Sequence, residues 1–121
     1  MRDFKKLKVW IKAHHFTLEV YKITLNFPDH ERFGLTSQIR RAAVSISSNI
    51  AEGCGRIGEK ELARFLIIST GSANEAEYQL LLAYHLKYIQ LESYQSLNYL
   101  INEVKRMLFA FIEKLAVGNR P

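Results

Sequence analysis

Apolar residues recur at helical spacing almost from the start of the chain. Val9, Ala13, Phe16, Val20 and Ile23 follow gaps of four, three, four and three, which places them on one side of a helix. The pattern predicts a first helix over about Leu7 to Leu25. Leu7, Ile11, Leu18 and Leu25 widen its apolar face, so it should touch neighbours on two sides. A second helix is predicted over about Thr36 to Glu52, with Ile39, Ala42 or Ala43, Ile46 and Ile50 as its stripe. Thr36 or Ser37 is the expected N-cap, and Gly53 stands where a left-handed turn often stops a helix.

The third predicted helix is the longest, about Glu59 to Ile89, with Leu62, Phe65, Ser69, Ser72, Ala76, Leu80 and Ala83 along one face. Gly71 lies inside it at a cost of about 1 kcal/mol relative to alanine, but the periodicity on both sides carries the helix through. The fourth is predicted over about Leu97 to Leu115, on Leu97, Leu100, Ile101, Val104, Leu108, Phe111, Ile112 and Leu115. The tail from Gly118 to Pro121 should fray. Breaks are expected at Pro28, at the cluster Gly53, Gly55 and Gly58, and at Glu92 to Ser96. Alternation with period two never persists. Four amphipathic helices on short connections imply an all-α fold, an antiparallel up-down-up-down four-helix bundle. The 121 residues fit one domain spanning 1–121.

Composition narrows the setting. An apolar share of 48% is enough for a core without metals or disulfides. The one cysteine, Cys54, has no internal disulfide partner, which points to a reducing, cytoplasmic location. The charged start, Met1 to Lys8, is not that of a signal peptide. No stretch approaches the ~20 apolar residues of a membrane span.

The formal net charge of +5 is uneven. Through Lys60 there are eleven Lys and Arg against six Asp and Glu; from Glu61 onward the two balance at six each. Lys5, Lys6, Lys8 and Lys12 crowd the start, and Arg40 adds a further cation. Such a cluster either attracts phosphate backbones or keeps a helix start solvated.

No residue pattern points to catalysis, a cofactor or a metal. His14 and His15 are adjacent and point in different directions, while His30 and His85 lie far away in sequence. Cys54 follows a predicted helix C-terminus, where the dipole disfavours a thiolate. The run Gly53 to Gly58 lacks the lysine and the preceding strand of a phosphate loop. The unusual feature is a polar stripe on the second helix. Gln38, Arg41, Ser45, Asn49 and Glu52 fall at gaps of three, four, four and three, with Glu75 on the third helix as a charge partner for Arg41. We read it as a partly buried polar network that fixes helix register or a subunit contact; a solvated face is the alternative. Thirteen aromatics, six Tyr and seven Phe, plus Trp10 exceed what a slender bundle core holds, which favours self-association.

These residues resemble a known family. Phe4, Leu7, Val9, Trp10, Ala13 and His14 are similar to its opening, and the run from Phe33 to Ala43 resembles its most distinctive stretch. Ser45 and Ile46, the run from Asn49 to Gly53, Phe65 and Leu66, and Gly71, Ser72 and Glu75 continue the likeness. Together they resemble the 23S rRNA intervening-sequence protein family, also called the four-helix-bundle protein family. Ile11 departs from it, standing where a polar residue is usual. The resemblance implies an antiparallel four-helix bundle, a ring-shaped homopentamer and no established enzymatic activity. Related retroelement accessory proteins partner a reverse transcriptase and nucleic acid. The expected function is therefore a non-enzymatic adaptor whose homo-oligomeric ring presents a surface to a partner protein. The alternative is weakly specific RNA or DNA binding through Lys5, Lys6, Lys8, Lys12 and Arg40 on the oligomer.

Overall fold

The structure, a computed structural model, describes residues 2–118. After a short 3-10 turn at Phe4–Lys6, four helices follow: α1, Lys8–Thr24; α2, Leu35–Cys54; α3, Glu59–His85; and α4, Leu91–Gly118. Each helix packs on the ones before and after it, and α4 closes the square on α1; the backbones of the diagonal pairs α1/α3 and α2/α4 stay apart across the core. This is the all-α four-helix bundle that the four apolar stripes imply. The core is one cluster built from those stripes: Val9, Ala13, Phe16 and Val20 of α1, Ile39, Ala43, Ile46 and Ile50 of α2, Leu62, Leu66, Ala76 and Leu80 of α3, and Ile101, Val104 and Leu108 of α4.

Hydroxyls lock the helices within this core. Thr17 Oγ1 donates to the Ala13 carbonyl at 2.9 Å or the Ala43 carbonyl at 3.1 Å and lies 3.2 Å from Ser47 Oγ, tying α1 to α2. Ser69 Oγ donates to the Ile46 carbonyl at 3.0 Å, tying α3 to α2. Buried hydroxyls satisfied in this way carry little desolvation penalty.

Three boundaries differ from the sequence pattern. The helix start at Leu35 is capped neither by Thr36 nor by Ser37; Glu31 Oε1 accepts the Leu35 N–H at 3.0 Å from the preceding 3-10 turn, Asp29–Glu31. Gly53 does not end α2. It lies within the helix, where an added Cβ would stand 2.9 Å from Phe65 Cβ and 3.1 Å from Leu62 Cδ1. Its absent side chain thus serves close packing of α2 on α3. Finally, α3 ends at His85 rather than Ile89, and Glu92 to Ser96 is no break but the first turns of α4. The chain reverses at Lys87, which adopts a left-handed φ of 65°. Tyr88 N–H reaches the Ala83 carbonyl and Lys87 N–H the Tyr84 carbonyl, both at 2.9 Å. That pair of bonds is the Schellman arrangement, here made without its usual glycine. The polar residues of 92–96 belong to the outer side of α4, while Tyr94 stacks on Tyr84 at 4.7 Å. Gly118 is the last helical residue; the rest of the tail expected to fray, 119–121, lies outside the described residues.

Candidate functional site

Two groups of polar side chains need placing: the stripe of α2 and the cations near the start of the chain. The stripe divides. Ser45 and Asn49 turn toward α3, where Ser45 Oγ lies 2.8 Å from Ser72 Oγ. Asn49 Nδ2 donates back to the Ser45 carbonyl at 2.8 Å and to Ser45 Oγ at 3.1 Å. These three residues form a half-buried hydroxyl–amide seam, and the Ser45–Ser72 contact joins α2 to α3. Gln38, Arg41 and Glu75 are exposed and line, with Ala42 and Ser45, a shallow depression of about 320 Å³. Among the described residues no ion pair joins Arg41 to Glu75, so the expected charge pair does not form within the chain. Glu52 is also exposed and pairs with Arg56 one turn on, at 3.1 Å.

The cations do not converge. Lys5 and Lys6 sit on the first 3-10 turn and Lys8 begins α1, all exposed. Lys12, one turn beyond Lys8 on α1, is held by Glu103 of α4 at 3.2 Å. Arg40 is engaged within the chain: its Nε donates to Thr24 Oγ1 at 2.8 Å, and its guanidinium lies 4.7 Å from the Tyr21 ring centre.

A third grouping escapes sequence reasoning. Arg32, Arg40 and Arg41, with Tyr21, Phe33, Ser37 and Val44, line an open cleft of about 610 Å³ where the end of α1 meets the start of α2. Phe33 is 87% exposed, with the Arg32 guanidinium 5.3 Å from its ring centre. The exposed Phe33 beside Arg32 was the available signal, but nothing in spacing alone brings Tyr21 to it.

Glu77 and Cys54 are held within the packing. The Lys105 ammonium, 2.7 Å from Glu77 Oε1, holds the Glu77 carboxyl below the usual range, and Asn102 adds a hydrogen bond at 2.9 Å. Cys54 is 2% exposed, and burial pushes its thiol up, away from the thiolate a nucleophile needs. Among the described residues no three His, Cys, Asp or Glu gather as metal ligands, and no helix is long and apolar enough to cross a membrane.

Comparison with known proteins gives one consistent answer. Residues 5–110 match the model of a family described as 23S rRNA-intervening sequence protein. A solved structure of a protein of unknown function from the S23 ribosomal protein family of Bacteroides thetaiotaomicron is similar, with 31% identity and a TM-score of 0.77. The likeness covers 86% of this chain and 97% of that one. No curated protein matches.

Proposed function

This chain belongs to the 23S rRNA-intervening sequence protein family, and we propose that it acts as a non-enzymatic adaptor that assembles with copies of itself and offers the assembly's surface to a partner. A ring of five is the form its resemblance to the family suggests. The observation that carries the reading is apolar surface left over after the core is complete. All four stripes are filled, yet Ile11, Leu18, Leu25, Ile67, Tyr78 and Phe109 remain exposed, Leu25 at 76%. Ile11, Leu18 and Leu25 align along one side of α1, and exposed apolar patches mark interaction sites. Light scattering tests it: the expected mass is a multiple of the 14.0 kDa chain, and a lone 14.0 kDa species at high micromolar concentration would refute it.

The cleft beside Phe33 supports a second reading, binding of RNA or DNA. An exposed ring beside three arginines combines a stacking platform with phosphate-directed charge; Lys5, Lys6 and Lys8, at the opposite end of α1, would form a separate contact. Such binding would be weakly sequence-specific, since phosphate contacts position rather than specify. Labelled single- and double-stranded RNA and DNA across a salt series decide it. Binding that weakens steeply with salt is expected, and none at low salt sinks it.

A further inference from the structure

We infer that the cleft between the end of α1 and the start of α2 binds the terminal phosphate of a nucleotide, free or at the end of a single strand, with the base stacked on Phe33. The inference rests on the nucleic-acid reading of this cleft and names the group it takes.

The start of α2 supplies donors. A helix leaves its first N–H groups without intrahelical partners. Glu31 takes that of Leu35, and the Gln38 N–H reaches the Gly34 carbonyl at 3.0 Å. Between them, the N–H groups of Thr36 and Ser37 have no partner among the described residues. Both residues line the cleft. The 20-residue helix adds its dipole, which favours an anion at this end.

The Thr36 side chain points to a ligand independently. It is 8% exposed, and its hydroxyl makes no hydrogen bond among the described residues. An unpaired hydroxyl in so buried a side chain is costly. Gln79 Oε1 is sealed in without a partner; Thr36 Oγ1 is not sealed, and it opens on the cleft. A phosphate there can accept from the hydroxyl and from the neighbouring N–H groups at once.

Three arginines and no carboxylate line the cleft. Arg40 is held in place by Thr24 and Tyr21 and keeps Nη1 unpaired. Arg32 and Arg41 enter no ion pair among the described residues. Arg41 also borders the depression that holds Glu75. Glu31 turns its carboxylate to Leu35 and Tyr88, outside the lining. Guanidinium, hydroxyl and backbone donors in this number suit a phosphate monoester, which carries three free oxygens and close to two charges. An internal phosphodiester offers fewer oxygens and half the charge. Phe33, 87% exposed, stands at the same cleft. Its face can stack on a base of any identity, but only on one that is free of a duplex.

Binding to the whole chain tests this, by calorimetry with AMP, adenosine and inorganic phosphate, and by fluorescence polarisation with labelled single strands ending in phosphate or in hydroxyl. AMP should bind at least tenfold tighter than adenosine or inorganic phosphate, and a phosphate-ended strand at least tenfold tighter than its hydroxyl-ended twin. Thr36→Val removes only an unpaired hydroxyl, so the melting temperature should hold while the preference for phosphate falls at least fivefold. Phe33→Ala should weaken AMP and leave inorganic phosphate unchanged. If strands bind alike whatever their ends and AMP does not bind, the nucleic-acid reading stands and this inference fails. If AMP binds and no strand does, the occupant is the free nucleotide and the strand reading falls. Inorganic phosphate binding as tightly as AMP, or an unchanged preference in Thr36→Val, would overturn the site as described. If nothing binds, both readings of the cleft fall.

Discussion

Tyr88, just after the α3–α4 reversal, donates its hydroxyl proton to Glu31 Oε2 at 2.8 Å. The other oxygen of Glu31 caps α2 by accepting the Leu35 N–H at 3.0 Å. One carboxylate thus ties the turn between α3 and α4 to the start of α2. Glu31→Ala should therefore lower the melting temperature more than Tyr88→Phe, which leaves the cap in place. Thermal unfolding of both variants checks the order; equal or reversed losses would show that the cap is immaterial.

The same contacts set a pH dependence. The Leu35 N–H and the Tyr88 hydroxyl hold Glu31 below the usual carboxylate range, and Lys105 does the same for Glu77. A depressed folded-state pKa means stability that is present above the unfolded-state value and lost as pH falls through the folded one. The melting temperature should fall as pH drops below the ordinary carboxylate range. In the double variant Glu31→Gln with Glu77→Gln that acid limb should be shallower. An unchanged slope would remove both groups from the account.

Gly53→Ala should destabilise the bundle by about 1–3 kcal/mol, the usual cost of overpacking. The new methyl would meet Phe65 Cβ at 2.9 Å and the Leu62 carbonyl at 3.3 Å, neither of which moves without shifting α3. This outweighs the gain of about 1 kcal/mol in helix propensity. Chemical denaturation measures the balance, and a net gain would refute the close-packing role.

Lys87→Gly should stabilise the chain, by up to about 1 kcal/mol, because a left-handed conformation costs an L-residue roughly 1–2 kcal/mol that glycine escapes, less the entropy glycine adds to the unfolded state. Lys87 is exposed and its φ is 65°. A shift of the denaturation midpoint to higher denaturant is expected, and a fall would mean that the lysine side chain carries the turn.

Ser45→Ala should cost about 1 kcal/mol through its lost hydrogen bonds to Ser72 and Asn49. Arg41→Ala should change the stability of the isolated chain by no more than about 0.5 kcal/mol, as for other exposed positions. Measured on the same footing, the two variants separate the seam from the exposed part of the stripe.

The sequence by itself determined the four helices and the residues that fill the core. Both follow from periodicity, a local property: Val9, Ala13, Phe16 and Val20 share a face whatever the rest of the chain does. It also carried the motif by which the family is recognised, from Phe33 to Glu52. Where α3 stops was not legible, because Lys87 turns the chain without a glycine or proline, and only the fit of Ile89 and Tyr94 at the end of the bundle makes that turn worth its strain. Nor was the reason for Gly53, which depends on a Phe65 twelve residues later arriving against it. The polar stripe shows the same limit. Spacing put Gln38, Arg41, Ser45, Asn49 and Glu52 on one side of α2, but the rotation of α2 against α3 decided that Ser45 and Asn49 face the seam and Arg41 faces solvent. That rotation is set by side chains from all four helices packing at once, so no single stretch of sequence contains it.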